Sequence, residues 1–206
     1  MTTFNTVSAL GLNVFYREAG DPAAPKLLLL GGFPASSHQF RNLIPALADR
    51  FHVVSFDYPG FGNTEMPDPA TWEYTFDHLA EVVEAAMEAI GFTGTMGFYM
   101  QDYGGPIGNR LIAKHPDWLG WQVIQNANSY EEGFTATWDG IRHVLWANRD
   151  SILSQSDGRE FAKRLNGTFT VASAPDGRPV DHDWMFESPH LFVAHLFSLD
   201  LLALEG

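Results

Sequence analysis

The architecture of this chain follows from one stretch, Gly97-Phe98-Tyr99-Met100-Gln101-Asp102-Tyr103-Gly104-Gly105. An apolar run ends at Asp102, two glycines follow, and Ile107–His115 has a helical pattern. A strand that turns abruptly into a helix strains the residue at the corner, and small residues beyond it let the helix pass close by. Pro106 suits the first turn, where its missing N–H is not needed. The stretch predicts a strand, a sharp turn and a helix, with the Asp102 carboxylate at the tip.

Asp102 has two interpretations at this point. In a nucleophile elbow, a Ser, Cys or Asp stands between strand and helix, and the backbone N–H of the next residue helps to stabilise an anionic oxygen. Alternatively, the carboxylate only caps the helix, because Asp is a favoured N-cap residue that contributes about 1 kcal/mol there. This stretch alone favours neither interpretation.

The composition limits the classes of function. A chain of 206 residues can bury one sizeable core and a small additional lobe. Its formal charge is -13 and its basic residues are scattered, so we expect no nucleic-acid partner and no membrane partner. The absence of cysteine excludes disulfides, thiolate catalysis and cysteine metal sites. The composition favours a small neutral or apolar ligand, and it implies no cofactor.

The amino-terminal sequence carries no targeting pattern. Met1–Leu10 has neither a basic start nor a sustained apolar run. The apolar run Leu27–Leu30 is far too short to span a bilayer. We therefore expect a soluble, cytoplasmic protein.

Two apolar runs end in glycine-rich turns. Lys26–Leu30 precedes Gly31-Gly32-Phe33-Pro34, and His52–Phe56 precedes Asp57-Tyr58-Pro59-Gly60-Phe61-Gly62. Such runs are typical of strands buried on both faces of a parallel sheet, which binds its ligands at the carboxyl ends. The first turn either lines a ligand crevice or simply connects the strand to a loop. Asp57 is either catalytic or bonded to its own loop, and the second role is favoured.

Strand and helix patterns alternate over the first part of the chain. Thr6–Ala19, interrupted at Gly11, predicts two antiparallel strands. Thr75–Ile90 predicts an amphipathic helix whose acids form a solvated face. Thr95–Met100 and Leu119–Gln125 predict two more buried strands. The alternation implies an α/β fold with a doubly wound, mostly parallel sheet.

The chain changes character from Ser129 onward. Helical patches occur at Thr137–Ala147, Arg159–Leu165 and Ser188–Leu204, and no further buried β-run is evident. We therefore predict an α/β core over residues 1–129 and a mostly helical, cap-like lobe over residues 130–206.

The three glycine-rich motifs, at residues 31–34, 57–62 and 101–105, resemble in order and spacing the α/β-hydrolase superfamily, and within it the haloalkane dehalogenases and epoxide hydrolases. The resemblance implies that Asp102 is a nucleophile that forms an alkyl-enzyme ester, which a His-activated water then hydrolyses. It also implies an oxyanion hole made by the backbone N–H groups of Phe33 and Tyr103, with Gly32 beside them.

The sequence departs from the family at several positions. Gly31 replaces the usual His, and Tyr103 replaces the Trp that donates to halide in the dehalogenases. No Tyr follows Tyr130, although epoxide hydrolases use two cap tyrosines. Gln125-Asn126-Ala127-Asn128 contains no carboxylate for the acid. The resemblance therefore implies a truncated core that lacks the last two strands and the catalytic His.

Eight histidines could supply the missing base. His38, His52, His78 and His115 lie on predicted strands and helices away from the elbow, which leaves four in the lobe, His143, His182, His190 and His195. His182 is the candidate base because Asp181 and Asp183 flank it and could raise its pKa, although a lone His is usually surface or core. No paired spacing suggests a metal site.

A sheet that stops at Leu119–Gln125 would leave an apolar edge, which is a template for association. We therefore expect a homo-oligomer or a complementing chain, unless the helical tail covers the edge. The rival to an enzyme is a binding or scaffold protein whose pocket is covered by Trp138, Trp146 and Trp184. A third interpretation is an enzyme fragment that needs complementation.

Overall fold

The computed structural model describes residues 1–127, 141–147, 159 and 168–172. Eight strands form one sheet in the order β1-β2-β4-β3-β5-β6-β7-β8. The strands are β1 Thr3–Ala9, β2 Leu12–Ala19, β3 Lys26–Leu30, β4 His52–Phe56, β5 Met96–Gln101, β6 Leu119–Gln125, β7 Ile141–Ala147 and β8 Thr168–Ala172. The α-helices are α1 Leu43–Leu47, α2 Phe76–Ala89 and α3 Gly104–Lys114, and short 3-10 helices span Ser37–Phe40 and Pro116–Trp118.

The sheet is antiparallel at one end and parallel elsewhere. β1 and β2 form a hairpin, and β2 also pairs antiparallel with β4. Leu10 and Gly11 turn the hairpin with φ of 49° and 82°, because a two-residue turn that matches the strand twist needs positive φ at both positions. All pairs from β4 through β3, β5, β6 and β7 to β8 are parallel. The predicted hairpin and the predicted parallel α/β sheet are confirmed.

Both faces of the central strands are covered. One face packs against α2 and α3, through residues such as Leu28, Phe98 and Met100. On the other face, the rings of Phe40 and Tyr99 meet edge to face with 5.7 Å between their centroids. This burial explains why β3, β4 and β5 are apolar along most of their length rather than in alternation.

Helix α2 begins as the sequence predicts, but its acidic face is not uniform. Thr75 caps the helix by accepting a hydrogen bond of 3.2 Å from the His78 backbone N–H. Glu81 and Glu88 are exposed, whereas Glu84 is buried. The Glu84 carboxylate bonds Lys114 Nζ at 2.7 Å and His115 Nε2 at 2.6 Å. The prediction of a solvated acidic face is therefore wrong at Glu84, because the partners that hold it come from α3 and the residue that follows.

The prediction that the sheet ends at β6 is wrong, whereas the lack of a catalytic His stays a prediction. β7 lies where a helix over Thr137–Ala147 was predicted, and β8 lies where no β-run was expected. The charged pair Arg142-His143 interrupts the apolar run of β7 and hides its strand character, whereas Thr168-Phe169-Thr170-Val171 is rich in residues that favour strands.

The two strands also change the expected edge. β6 pairs with β7 along Trp121–Gln125, so it is not the unpaired edge from which association was predicted. Association with a second chain stays a prediction, but an unpaired β6 edge no longer supports it. The boundary between residues 129 and 130 also stays a prediction. Arg159 is helical, and Ser188–Leu204 lies outside the described residues.

Candidate active site

Asp102 stands at a sharp corner between β5 and α3. Its φ is 51°, in the left-handed region that non-glycine residues rarely adopt. Helix α3 can start at once because Gly104 passes against β3, where a Cβ would lie 2.2 Å from the carbonyl oxygen of Leu30. A backbone conformation of this kind costs on the order of 1–3 kcal/mol and is typical of functional sites. The predicted strand, turn and helix are confirmed.

The contacts of Asp102 bear on its two interpretations. The N-cap of α3 is Tyr103, in helical conformation, and its side chain makes no capping hydrogen bond. Asp102 Oδ1 instead accepts a hydrogen bond of 2.8 Å from the backbone N–H of Phe33. The carboxylate is therefore directed toward the loop after β3.

The loop after β3 approaches Asp102 closely because it contains Gly32. A Cβ on Gly32 would lie 2.6 Å from Asp102 Cβ and 2.9 Å from Asp102 Oδ1. Any larger residue would therefore push the loop and the Phe33 N–H away from the carboxylate. The sequence correctly places Gly32, Phe33 and Asp102 together, and Tyr103 adjoins them.

The Asp57 carboxylate accepts hydrogen bonds from the backbone near the candidate site. Its Oδ1 accepts a hydrogen bond of 2.6 Å from the Ser37 N–H, and its Oδ2 accepts one of 2.8 Å from the Asn63 N–H. The residue is 1% exposed. Asp57 therefore ties the segment after the β3 loop to its own glycine-rich turn, as the favoured interpretation expects.

Aromatic side chains surround the Asp102 corner. The Phe33 ring lies 5.3 Å from that of Tyr103 and 5.8 Å from that of Phe61, and the Phe76 ring contacts Tyr103 at 4.8 Å. Phe33 is 61% exposed, which is high for so large an apolar side chain. The surroundings of the carboxylate favour an apolar ligand.

Tyr58 bonds the backbone of the loop that follows β3. Its hydroxyl donates a hydrogen bond of 3.0 Å to the carbonyl oxygen of Gly31. Burial, together with the negative charge of Asp102, raises the pKa of Tyr58 well above its usual value. The hydroxyl therefore stays protonated and remains a donor at any pH where an enzyme would work.

The described part of the chain does not test the other predicted site residues, which stay predictions. Trp146 lies in β7 rather than in a helix, while Trp138, Trp184 and His182 lie outside the described residues. Of the histidines assigned elsewhere, His52 bonds Glu18 at 2.6 Å and His115 bonds Glu84. Among the described residues, no cluster of three or more His, Asp or Glu could hold a metal ion.

Among the described helices, none is both long and apolar enough to cross a membrane.

The order of the sheet, the strained corner and the two glycine-rich loops define an α/β fold with an acidic residue at the corner between β5 and α3. A family model described as alpha/beta hydrolase fold matches residues 25–143. The chain belongs to this family, which confirms the resemblance of the motifs.

Individual relatives agree with this assignment. The chain is 42% identical over 141 residues to the uncharacterised hydrolase YNR064C of Saccharomyces cerevisiae, covering 68% of this chain and 48% of the relative. It is 36% identical over 110 residues to a haloalkane dehalogenase of Bradyrhizobium diazoefficiens, covering 53% and 34%. The chain thus spans about half or less of the length of these curated relatives.

Solved structures show the same fold. A haloalkane dehalogenase of Bradyrhizobium elkani USDA94 superposes with a TM-score of 0.81 at 16% identity, covering 100% of this chain and 99% of that one. At this identity the likeness establishes the fold, and the chemistry has to be argued from the site.

Proposed function

We propose that this chain is a hydrolase in which the Asp102 carboxylate attacks carbon in a small, largely apolar substrate of the haloalkane or epoxide type. The observation that carries the proposal is the carboxylate at the strained corner, held by the Phe33 N–H at 2.8 Å. Carboxylates serve as nucleophiles when the protein fixes them facing an electrophilic carbon. The aromatic surroundings formed by Phe33, Phe61 and Tyr103 suit such a substrate.

The first half-reaction forms an ester. One carboxylate oxygen of Asp102 bonds to the substrate carbon, and the carbon–halogen bond breaks with loss of halide, or the epoxide C–O bond opens to an alkoxide that takes a proton from water. The oxygen bonded by the Phe33 N–H becomes the carbonyl oxygen of the ester. Tyr103 offers its O–H near the leaving group in place of the indole donor of the dehalogenases.

The second half-reaction removes the ester. Water loses a proton to a base and adds to the carbonyl carbon, and the oxygen beside the Phe33 N–H becomes an oxyanion. A donor placed in this way typically stabilises the transition state by about 3 kcal/mol, and the Tyr103 N–H would be the second donor. Collapse of the intermediate releases the alcohol and restores the Asp102 carboxylate.

The topology suggests where the base and its acid partner lie. β5, β7 and β8 are parallel members of one sheet, so their carboxyl ends share the edge at which Asp102 stands. Chain order in this fold is nucleophile, acid, histidine. β7 ends at Ala147 with Asp150 close behind it, and β8 ends at Ala172 with His182 following. We assign Asp150 as the acid and His182 as the base, both outside the described residues.

Tryptophans of the carboxyl-terminal part complete the proposal. Trp138, Trp146 and Trp184 would cover the substrate, as an apolar pocket needs. The rival function is a binding protein of the same fold that holds such a ligand without turnover, and it is an outcome of the test below.

The test is covalent capture. The protein is incubated with a 1-haloalkane or a terminal epoxide, and its intact mass is measured with and without substrate. We expect an alkyl adduct that maps to the peptide containing Asp102, together with release of halide or diol. Asp102→Asn keeps the shape of the side chain and should form no adduct. Binding of the substrate without adduct or product would overturn the proposal and favour the binding protein.

A further inference from the structure

The carboxamide of Gln39 occupies the space beside Gly31 at the end of β3. A Cβ added to Gly31 would lie 2.2 Å from Gln39 Nε2, 2.7 Å from Cδ and 3.0 Å from Oε1. A side chain at position 31 and the Gln39 carboxamide therefore cannot occupy this space together. Gln39 fills the volume that a side chain at position 31 would otherwise take.

The backbone around Gln39 is fixed on both sides. Ser37, at the start of the same 3-10 helix, is held by the Asp57 carboxylate at 2.6 Å, and Phe40 is fully buried against Tyr99. The Gln39 N–H donates to the Ser36 carbonyl at 2.9 Å. The side chain is therefore held against the loop from a rigid base.

The Gly31 peptide is contacted by two different residues. Its carbonyl oxygen accepts the Tyr58 hydroxyl hydrogen bond at 3.0 Å, and the Gln39 carboxamide packs against its Cα. Gly32 and Phe33 follow directly, and the Phe33 N–H reaches Asp102 Oδ1 at 2.8 Å. Because Gly31, Gly32 and Phe33 are consecutive, a displacement of Gly31 would also displace the Phe33 N–H.

Gln39 acts on the loop by contact rather than by hydrogen bonding. Both of its carboxamide atoms, Nε2 and Oε1, are buried and have no hydrogen-bond partner among the described residues. An unpaired buried amide lowers stability, so stability alone does not account for it. What the side chain contributes at this position is its volume.

We propose that Gln39 is a positioning residue whose carboxamide fills the space beside Gly31 and so keeps the Phe33 N–H directed at Asp102. The effect on rate rests on the proposed function, whereas the effect on the loop does not. For this reason the test has two independent measurements: hydrogen exchange at the Phe33 amide, and kcat with KM for the substrate that forms the adduct.

Gln39→Ala empties the space and should loosen the loop. We expect exchange at the Phe33 amide to become about 10-fold faster and kcat to fall about 10- to 100-fold, because small displacements of catalytic groups have effects of this size. KM should change less than about twofold, since the carboxamide is proposed to act on the loop and not on the substrate. Gln39→Met keeps most of the volume and should leave both measurements within about twofold of the wild type.

A second substitution provides a rescue. Gly31→Ala in the Gln39→Ala background places a methyl group in the emptied space, and we expect part of the lost protection at Phe33 to return. In the wild-type background the same Gly31→Ala change must displace the carboxamide, so it should speed exchange. The two substitutions are therefore expected to be strongly non-additive.

Gln122 is the matched control. It is a fully buried glutamine in β6 whose Nε2 and Oε1 also lack hydrogen-bond partners within the described part of the chain. Gln122→Ala should change stability without changing exchange at Phe33 or kcat. If Gln39→Ala leaves Phe33 exchange at the wild-type value, or if Gln122→Ala speeds it equally, the positioning role is wrong. If exchange responds as expected but the wild type forms no adduct and no product, the proposed function fails and the positioning of the loop stands.

Discussion

The Phe33 backbone N–H donates a hydrogen bond of 2.8 Å to Asp102 Oδ1, although 69 residues separate the two in sequence. The contact exists because β3 and β5 are parallel neighbours that end together, with Leu30 opposite Met100. A loop that leaves one strand and an elbow that leaves the next are thereby brought face to face.

Gly32→Ala tests how closely the loop must approach the elbow. The new Cβ would lie 2.6 Å from Asp102 Cβ, so the loop must shift and carry the Phe33 N–H away. We expect kcat to fall about 100-fold, measured as the rate of adduct formation and turnover.

The control for Gly32→Ala is Gly120→Ala, at the amino end of β6, where the new Cβ would meet Thr95 Cγ2 at 3.2 Å. A small shift relieves that contact, and kcat should stay near the wild-type value. A Gly32→Ala protein that reacts within twofold of the wild type would contradict the arrangement.

Two glycines of α3 form a matched pair for stability. Gly104→Ala would place its Cβ 2.2 Å from the Leu30 carbonyl oxygen, which is backbone and cannot move aside. Gly108→Ala meets Met100 Sδ at the same distance, but Sδ belongs to a flexible side chain. We expect Gly104→Ala to lower the free energy of unfolding by about 3 kcal/mol or more and Gly108→Ala by about half as much, measured by urea unfolding. Equal losses would mean that close passage of α3 over β3 is not what positions the helix.

The elbow could be predicted because adjacent residues in the sequence indicate it. Contacts between residues that are distant in sequence could not be predicted in this way. An apolar run, an acid and two glycines in succession announce a strand, a corner and a helix, and Gly104 indeed passes β3. Glu84 looks like its exposed neighbours on α2 until Lys114 and His115 are known to face it. The space beside Gly31 is filled by a residue that no local pattern connects to it.

β7 shows that hydrophobic periodicity alone does not always distinguish a strand from a helix. Ile141–Ala147 mixes apolar residues with Arg142-His143, so its pattern fits a helix face as well as a strand, and only pairing with β6 decides. Missing this strand also hid Asp150 as a candidate acid, since its position matters only once a strand is known to end at Ala147.

The raised pKa of Tyr58 predicts that the stability of the protein falls at alkaline pH. Burial and the nearby Asp102 raise the pKa of Tyr58 in the folded protein, so its phenol stays protonated while that of the unfolded chain ionises near pH 10. Stability is therefore complete below the unfolded pKa and is lost as the pH rises above it. We expect the urea midpoint to fall more steeply between pH 9 and about pH 11 in the wild type than in Tyr58→Phe.

The Tyr58→Phe variant also loses the hydrogen bond to the Gly31 carbonyl, which should lower stability at pH 7 by about 1 kcal/mol. The raised pKa values of Tyr16 and Tyr74 are common to both proteins and cancel in the comparison. Parallel curves for the two proteins above pH 10 would show that Tyr58 ionises as readily in the folded chain as in the unfolded one.

The lowered pKa of Glu84 predicts that the stability of the protein falls at acid pH. Burial alone would raise the pKa of Glu84, but hydrogen bonds from Lys114 and His115 outweigh it and hold the pKa below its usual value. The stability that Glu84 contributes is therefore present above the unfolded pKa and is lost as the pH falls through the folded one. We expect Glu84→Gln to lower the free energy of unfolding by about 1–2 kcal/mol at pH 7, and by much less below about pH 4. Glu88→Gln, on the exposed side of α2, should change stability little at either pH, and an equal effect of both substitutions would contradict the role of the partners.

The assignment of His182 and Asp150 predicts where the reaction stops when each is removed. In the proposed mechanism the first half-reaction needs only Asp102, so His182→Ala should still form the alkyl ester but fail to hydrolyse it. We expect the adduct to accumulate to nearly one per chain, while turnover falls at least about 1,000-fold. Asp150→Asn should slow hydrolysis of the ester less severely, because the acid only orients and stabilises the base.

His195→Ala is the control for these two variants, since it removes an imidazole from the same carboxyl-terminal part of the chain and should leave turnover unchanged. Single turnover in water labelled with oxygen-18 adds a readout that does not depend on trapping. The wild type should gain one labelled oxygen in the Asp102 carboxylate, because water attacks the carbonyl carbon of the ester. Label found only in the alcohol would mean that water attacks the substrate directly, and Asp102 would then be a base rather than a nucleophile.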